Sequence, residues 1–313
     1  RLGVSFYRYL VYTGKKCIRG GEKMAGWDDI LRELDQTMSQ SDFIRRKYLK
    51  QLSKYTNRNS IAYYSAFLTR PTSQNIDIND SDMTGFMNAL KGMDCSKGLD
   101  LILHTPGGSP ASAEAIVSYL RSKFNNDIRV IVPQMAMSAG TMIACAAKVI
   151  IMGKQSSLGP VDPQFNGIPA YNIQMEFEEA KKDLAVHPEN RNYWAIKLQQ
   201  YPAAFLKTAI DAIQLSGSLV EEWLKTCMFT EDESVKVETI VSKLNEHDDS
   251  KTHGRHFNID FCRKIGLKIE ALEDDDQLQD AVLSVHHAYM LTFSRSDAIK
   301  IIECQNGKAV ICH

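Results

Sequence analysis

A regular alternation of short apolar runs and helical patterns between residues 99 and 152 is the feature that most constrains the fold. The apolar runs are rich in Val, Ile and Leu, and their length is typical of buried strands rather than of helices. Alternation of strand and helix through short turns predicts an α/β domain with a largely parallel sheet. The predicted strands are 99–104, 128–133 and 148–152, and the predicted helices are 110–124 and 138–147.

Further elements are predicted on both sides of this alternation. A polar loop leads into a helix that Ser81 is expected to cap. Near the end of the sequence, Asn306 and Gly307 stand between two apolar runs, a pattern that predicts a hairpin. The other predicted elements are helices 27–38, 42–55 and 81–90, a β-branched strand 60–68, a mostly helical stretch 172–225, and hairpin strands 298–303 and 309–312.

Composition and charge exclude several classes of protein. Lys plus Arg total 37 and Asp plus Glu total 38, so no basic surplus is present to neutralise a nucleic-acid backbone. No apolar run approaches the roughly 20 residues that are needed to span a bilayer. Seven scattered cysteines without a CxxC pair argue against a disulfide framework and against a zinc cluster, so a reducing cytoplasm is the expected location.

The first residues differ in character from the rest of the chain. Residues 1–23 begin without Met and carry a basic, aromatic run, but no signal-peptide cleavage site is visible. We expect Met24 to be the natural start and 1–23 to be a disordered or upstream extension; the alternative is a short membrane-surface or partner-binding arm. The expected organisation is then a helical segment over 24–59 and a single domain over 60–313.

Three loops that follow predicted strands carry residues suited to catalysis. In the first loop, Gly107 and Gly108 allow a tight turn whose exposed amides would stabilise an oxyanion, although a plain turn is the simpler interpretation. In the second, Ser138 lies between small residues at a strand-to-helix turn, where it is either a nucleophile or a helix cap. In the third, Asp162 either orients a catalytic base or holds a rigid loop by hydrogen bonds.

Together the three loops resemble the serine dehydrogenase proteinase family, which belongs to the signal-peptide-peptidase-A-like branch of the Clp protease and crotonase superfamily. The resemblance extends to residues 26–27, 63–64, 253–256 and 278–287, and so covers most of the chain after Met24. The segments that carry it are Leu-Ile-Leu-His-Thr-Pro-Gly-Gly-Ser-Pro (101–110), Met-Ser-Ala-Gly-Thr-Met-Ile-Ala (137–144) and Ser-Leu-Gly-Pro-Val-Asp-Pro-Gln (157–164).

This resemblance implies a Clp/crotonase-like spiral of ββα units with added N-terminal and C-terminal helices, closed homo-oligomers and serine peptidase chemistry. By the resemblance, Ser138 matches the nucleophile, and Gly107 and Gly108 match the glycines whose amides form the oxyanion hole. The family name suggests a dehydrogenase, but no G-x-G-x-x-G follows a strand, so that activity is set aside and no cofactor is expected.

The general base is harder to assign. In the Clp subunit a His follows the nucleophile by about 25 residues, but here that position falls near Asp162, so a Clp-type triad cannot be carried over. The resembling branch uses a Lys downstream instead. Lys181 shares a helical face with apolar neighbours and is the expected base, because desolvation would lower its pKa. Lys182 is expected on the solvated face, and Lys197 is a weaker candidate; a surface lysine without a catalytic role is the alternative.

Histidines near the end of the chain are alternatives to a lysine base. His253 and His256 follow a polar loop, and either one is a candidate for the catalytic pocket. His286 and His287 are adjacent in an apolar helix, where neighbouring side chains point about 100° apart and do not chelate as a pair. Structural hydrogen bonding is therefore the first interpretation, and no metal site is expected.

These observations predict an ATP-independent serine peptidase in which Ser138 attacks the carbonyl of a peptide or protein substrate. Lys181 is expected to take the proton, while the amides near Gly107 and Gly108 hold the oxyanion. Two other interpretations stay open. One is a catalytically inactive oligomeric scaffold of the same fold, and the other is crotonase-like acyl-CoA chemistry, against which Ser138 argues.

Overall fold

The structure is a computed structural model that describes residue 30 and residues 41–230, 233–245 and 252–313. Of the helix predicted over 27–38, only Ile30 is among these residues, and it is helical and fully buried. The expectations for residues 1–23 lie outside the described part of the chain.

A seven-stranded sheet forms the centre of the molecule. Its strands are β1 (Asn59–Ser65), β2 (Leu99–His104), β3 (Ile128–Val132), β5 (Val149–Met152), β9 (Ile269–Ala271), β10 (Lys300–Cys304) and β11 (Ala309–Cys312). Strands β1, β2, β3, β5 and β9 are parallel neighbours in that order, while β10 pairs antiparallel with β1 and β11 pairs antiparallel with β10.

Helices cover both faces of the sheet. The α-helices are α1 (Ser41–Thr56), α2 (Asp82–Leu90), α3 (Pro110–Phe124), α4 (Ala139–Cys145), α5 (Ala170–Val186), α6 (Arg191–Leu198), α7 (Phe205–Trp223), α8 (Ser234–Asn245), α9 (Ile259–Ile265) and α10 (Asp276–Arg295). A single π-helical turn, Leu224–Met228, extends α7.

Alternate side chains of each strand enter two separate cores. In β1, Ile61 and Tyr63 pack with the helices α2, α3 and α4, whereas Ala62 and Tyr64 pack with α1 and α10 on the opposite face. Because both faces are covered, β1, β2 and β10 are buried along their whole length and are mostly apolar, as is typical of strands in the middle of a sheet. The predicted α/β architecture is confirmed.

Two further pairs of very short strands lie outside the main sheet. Strands β4 (Met135–Ala136) and β6 (Ser157–Leu158) pair in parallel, and β7 (Gln164–Phe165) and β8 (Ile168–Pro169) form a hairpin. The first pair joins the loops that follow β3 and β5, which is where the candidate catalytic residues were expected.

Several predicted boundaries need correction. The strand predicted over 60–68 ends at Ser65, because the amides of Thr69 and Arg70 bond to the Ala66 carbonyl and form a turn. Ser81 does not cap α2; its own backbone is helical, and its hydroxyl bonds to the Asn79 side chain instead.

Helices α5, α6 and α7 form an arm with only a small core of its own. Phe165, Phe177 and Phe205 are half-buried and pack around the few fully buried residues of this arm. On its outer side, Val186 is 72% exposed and Ile196 is 70% exposed. The arm therefore presents apolar side chains to solvent that the two central cores do not cover.

Candidate active site

Ser138 occupies a strained turn between β4 and α4. Its backbone has φ 49° and ψ −117°, a conformation that residues with a side chain rarely adopt. The amide of Gly140 bonds to the Met137 carbonyl at 2.8 Å and closes the turn. A serine held on a sharp strand-to-helix turn is the arrangement by which hydrolases present a nucleophile.

The alternative that Ser138 only caps its helix is not supported. Its side chain makes no capping hydrogen bond to the first turn of α4, a turn that the structure describes in full. Ser138 is half-buried. The backbone strain at Ser138 is therefore not offset by a capping hydrogen bond. Uncompensated strain of this kind is concentrated at functional residues.

Gly107 lies directly against the Ser138 turn. With φ +104°, it adopts a conformation that favours glycine, and a Cβ atom there would lie 2.7 Å from both the Ser138 Cβ and the Met137 carbonyl oxygen. The same position is 3.2 Å from the Ala139 nitrogen. Only a residue without a side chain allows the two loops to approach this closely.

Backbone hydrogen bonds fasten these two loops together. The Thr105 amide donates to the Met135 carbonyl at 3.1 Å, and the Met137 amide donates to the Thr105 carbonyl at 3.0 Å. The Gly107 amide donates to the Thr105 hydroxyl at 3.2 Å. Because the Gly107 amide has this partner, the amide of Gly108 is the stronger of the two predicted oxyanion donors.

The third loop packs against the same turn from another side. The Gly159 amide donates to the Thr141 hydroxyl at 2.9 Å, and the Thr141 hydroxyl donates to the Ala136 carbonyl at 2.8 Å. A Cβ atom at Gly159 would lie 2.5 Å from the Met137 Cε. The loop that carries Asp162 is therefore fixed to residues on both sides of Ser138.

Asp162 is bonded to His253. The His253 Nδ1 lies 2.8 Å from Asp162 Oδ1, and the Gln164 amide donates to Asp162 Oδ2 at 2.8 Å. The Asp162 side chain is 3% exposed, whereas that of His253 is 31% exposed. A buried carboxylate that holds Nδ1 of a partly exposed imidazole leaves Nε2 as the nitrogen available to a substrate or a nucleophile.

The strand-like pairing of two loops brings these residues together. The amides of Leu158 and Phe257 each donate to the other residue's carbonyl, at 3.0 and 2.8 Å, in an antiparallel bridge. The bridge is isolated, and Asp162 and His253 lie four residues further along the two segments, where their side chains meet. His256 lies close by, with its Nδ1 2.9 Å from the Ser157 hydroxyl.

The expected burial of Lys181 is wrong. Its side chain is 66% exposed, and its ammonium donates to Glu178 at 2.7 Å. The inward face of α5 carries Ile173, Phe177 and Ala180, and Lys181 lies at the edge of this stripe, from which its long side chain reaches solvent. The helical spacing correctly predicted apolar neighbours for Lys181, but it did not determine whether the side chain points into the core or into solvent.

The other two lysines also face solvent or an acidic partner. Lys182 is exposed, as expected. Lys197 bonds to Glu176 at 2.7 Å and lies over the Trp194 ring, and the hydrogen bond to Glu176 raises the pKa of Lys197. A raised pKa favours the protonated form, which is the opposite of what a general base requires.

A buried aromatic cluster lies at the end of β2, one residue before Thr105. His104 is fully buried and contacts the rings of Tyr64, Phe67 and His286 at centroid distances of 5.5, 4.8 and 5.3 Å. Burial lowers the pKa of His104 to about 3, although the Met135 carbonyl acts in the opposite direction. His286 is likewise held neutral by burial, which lowers its pKa well below the usual range.

The Ala139 amide is a functional candidate that the sequence did not suggest. It is the first residue of α4, so its amide belongs to the helix turn whose N–H groups lack intrahelical partners. The position of Ala139 directly after Ser138 could have indicated this role, because hydrolases with a serine on such a turn use the amide of the following residue as an oxyanion donor.

Among the described residues, no group of three or more His, Cys, Asp or Glu side chains is arranged to hold a metal ion. The same part of the chain contains no helix that is long and apolar enough to cross a membrane.

The chain is similar in sequence to two uncharacterized proteins of Methanocaldococcus jannaschii. The chain is 37% identical to the uncharacterized protein MJ0137 of Methanocaldococcus jannaschii over 151 residues, which is 47% of this chain and 52% of that protein. It is 40% identical over 107 residues to the uncharacterized protein MJ1495 of the same organism, which is 34% of this chain and 36% of that protein. The chain thus spans about half the length of the first relative and about a third of the second.

A search of solved structures found a membrane-bound stomatin-specific protease, 1510-N, in a mutant form. The alignment has 20% sequence identity and a TM-score of 0.36, and it covers 64% of this chain and 78% of that one. The family of ClpP-like SDH-type serine proteinases matches residues 31–272, a stretch that contains the Ser138 turn, the Gly107 turn and the bonded pair Asp162 and His253. The α/β fold is accordingly of the ClpP-like type that the three loops resemble, and the chain belongs to the family of ClpP-like SDH-type serine proteinases.

Proposed function

We propose that this protein is a peptidase that hydrolyses peptide bonds with Ser138 as its nucleophile. The observation that carries the proposal is the strained turn of Ser138, with no capping bond from its hydroxyl and the Gly107 backbone packed against it. The amides of Gly108 and Ala139 are the proposed oxyanion donors, and the Gly107 turn keeps them in place. Fixed amide dipoles of this kind stabilise a developing negative charge without reorganisation.

His253 is the general base that the geometry supports best. Asp162 holds Nδ1 of the imidazole at 2.8 Å, and the loop that carries Asp162 is bonded to the helix that begins after Ser138. Because the buried carboxylate fixes the tautomer with Nδ1 protonated, Nε2 is free to accept the serine proton. We therefore propose the order nucleophile, orienting carboxylate and base along the chain: Ser138, Asp162, His253.

A dyad of Ser138 with Lys181 is the alternative. It would require Lys181 to be neutral, yet the side chain is largely exposed and its charge is stabilised by Glu178. This arrangement does not favour a basic, neutral amine, so Lys181 ranks below His253. Lys182 is exposed as well and has no feature that would favour it over Lys181.

The proposed reaction proceeds in two steps. His253 accepts the Ser138 proton while the serine oxygen attacks the scissile carbonyl, and the imidazolium then protonates the leaving amine. Water, deprotonated by the same imidazole, attacks the acyl-enzyme and releases the acid. Because only water is consumed, we propose that hydrolysis needs no ATP.

Peptides or proteins are the proposed substrates, and a homo-oligomer is the proposed working form. The exposed apolar side chains of Val186, Tyr193 and Ile196 support self-association, since exposed apolar surface is buried when subunits associate. Cytoplasmic action stays a proposal that rests on the scattered cysteines of the sequence.

Digestion of a defined mixture of unstructured peptides, followed by mass spectrometry of the products, tests the proposed function. The wild type should release fragments with new amino termini, and Ser138→Ala should release none while keeping its fold. If the wild type cleaves nothing, the inactive scaffold becomes the better interpretation.

Paired substitutions test the base. His253→Gln should lower kcat by orders of magnitude, whereas the neighbouring control His256→Gln should change it little. Lys181→Gln should likewise leave kcat nearly unchanged, with Lys182→Gln as its control. Loss of activity in Lys181→Gln together with retention in His253→Gln would overturn the proposed triad and restore the lysine dyad.

A further inference from the structure

A cleft of about 640 Å³ lies between α1 and the turn that joins β10 to β11. This turn is bonded to the start of β1, since Ser60 accepts a hydrogen bond from the Gln305 amide and its own amide donates to the Gln305 side chain. Gly107 follows the opposite, carboxyl end of the parallel strands. The cleft is therefore separate from the candidate active site.

The lining of the cleft is strongly cationic. Arg46, Lys47 and Lys50 lie on neighbouring turns of α1 and face it. One carboxylate of the lining, Asp42, bonds to Arg45 at 2.6 Å and lies 3.7 Å from Arg46. Because Arg45 and Arg46 share Asp42 and the buried Glu303, the positive formal charge of the lining comes from Lys47 and Lys50.

Arg46 is held in place before any ligand arrives. Its Nε donates at 2.7 Å to Glu303, whose side chain is fully buried. The stem of Arg46 packs on the turn at Gly307, where φ is +77° and a Cβ atom would lie 3.3 Å from the Arg46 Cδ. A guanidinium that is already positioned loses less conformational entropy when it binds an anion.

We propose that this cleft binds a small soluble anion that carries two or more negative groups, phosphates or carboxylates. Arg46, Lys47 and Lys50 would contact the charged groups, and the exposed Asn306 side chain supplies an amide donor at the opposite wall. Phe43 is 53% exposed at the cleft and offers an apolar surface to an organic part of the ligand. This proposal is independent of the proposed peptidase chemistry.

Calorimetric titration of the full chain tests the proposal, with pyrophosphate as the phosphate probe and citrate as the carboxylate probe. At low ionic strength at least one probe should bind saturably at one site per chain, and added salt should weaken the binding. The probe that binds more tightly identifies the preferred chemistry. Ser138→Ala should bind as the wild type does.

The double variant Lys47→Gln/Lys50→Gln should bind the probe at least about tenfold more weakly, which corresponds to about 1.4 kcal/mol. The matched control is Lys54→Gln, which is exposed on the same helix but does not line the cleft, and it should change the affinity by less than about twofold. The absence of saturable binding, unchanged affinity in the double variant, or an equal loss in Lys54→Gln would each overturn the proposal.

Discussion

At the scale of single residues, the site depends on a position that has no side chain. Gly107 combines a positive φ with a contact that leaves no space for a Cβ atom, and the contact is with Ser138 itself. Two hydrogen bonds of the Thr105 backbone fasten the Gly107 loop to the Ser138 loop. A shift of Gly107 would therefore also move the strained turn at Ser138.

Gly107→Ala should therefore lower kcat by about 100-fold or more. The new methyl group would displace the Ser138 turn and the amides proposed to hold the oxyanion, and the loss of a single such donor costs ~10²–10³ in rate. Steady-state kinetics on a peptide identified as a substrate would measure this loss.

Gly167→Ala is the matched control for that substitution. Gly167 has a φ of +81°, but a Cβ atom there would meet nothing within 4 Å. Both variants carry the cost of a left-handed residue, roughly 1–2 kcal/mol. Equal losses of activity in the two variants would attribute the effect to backbone strain rather than to contact with Ser138.

Asp162→Asn should fold and should lower kcat by about 10²–10⁴-fold. An amide in place of the buried carboxylate no longer selects the tautomer with Nδ1 protonated and no longer stabilises an imidazolium at His253. The KM should change much less, because Asp162 is proposed to act through His253 rather than on the substrate. A rise in KM with unchanged kcat would instead indicate that Asp162 only shapes the loop.

The residues of the site could be predicted from the sequence only in part. Ser138 and the two glycines were candidates from the loops that contain them, but a cap and a plain turn explained those loops equally well, and only the resemblance of the three loops to a known family implied their roles. The contact between Asp162 and His253 joins side chains of residues 91 positions apart, on two loops that meet at one isolated bridge, and no local pattern encodes it. Lys181 was placed on the correct helix, but its exposure depends on packing that spacing alone does not determine.

At the scale of elements, the main strands and the helices around them were predictable because each carries several residues of clear periodicity. The helix Pro110–Phe124 was predicted with the bounds that the structure gives. The pairs β4 with β6 and β7 with β8 were not predicted, since two residues are too few to show an alternation. The pair β4 with β6 nevertheless joins two loops of the candidate site.

The buried histidines of β2 and α10 should make stability depend on pH. Burial lowers the pKa of His104 to about 3 and that of His286 well below its usual range, so the unfolded chain binds more protons than the folded one below the ordinary histidine pKa. Stability should therefore fall as the pH falls, by about 2 kcal/mol for His104 between pH 7 and pH 5, and the lowered pKa of His286 acts in the same direction. Urea denaturation at the two pH values measures the change.

The variant His104→Phe distinguishes the contribution of His104 to the pH dependence of stability from the contributions of other titratable groups. A phenyl ring keeps an aromatic side chain among Tyr64, Phe67 and His286, and it cannot be protonated. The loss of stability on acidification should be about 2 kcal/mol smaller than in the wild type. His187→Phe, on an exposed turn, is the control and should behave as the wild type does; an undiminished loss in His104→Phe would show that His104 does not carry the effect.

At the scale of the whole molecule, the arm of α5, α6 and α7 stands out from the two-sided sheet core. Val186, Tyr193 and Ile196 are 72%, 59% and 70% exposed. The three residues lie at the end of α5 and on α6, and exposed apolar side chains on adjoining elements are typical of contacts between subunits. The arm is therefore the part of the molecule through which we expect copies of the chain to associate.

Ile196→Lys should shift the chain toward the monomer. A charge placed in a contact between subunits loses its hydration without gaining a partner, which disfavours association. Light scattering of the wild type at micromolar concentration should give a mass several times that of one chain, and the variant a lower mass. A monomeric wild type under these conditions would contradict the proposed assembly.

The central claim is that Ser138 is an activated nucleophile, and covalent labelling tests it most directly. Mass spectrometry after reaction with a fluorophosphonate should locate one phosphonyl group on Ser138, with no adduct in Ser138→Ala and a much slower reaction in His253→Gln. An unmodified Ser138 after prolonged exposure of the folded wild-type protein, or an adduct confined to another residue, would contradict the claim.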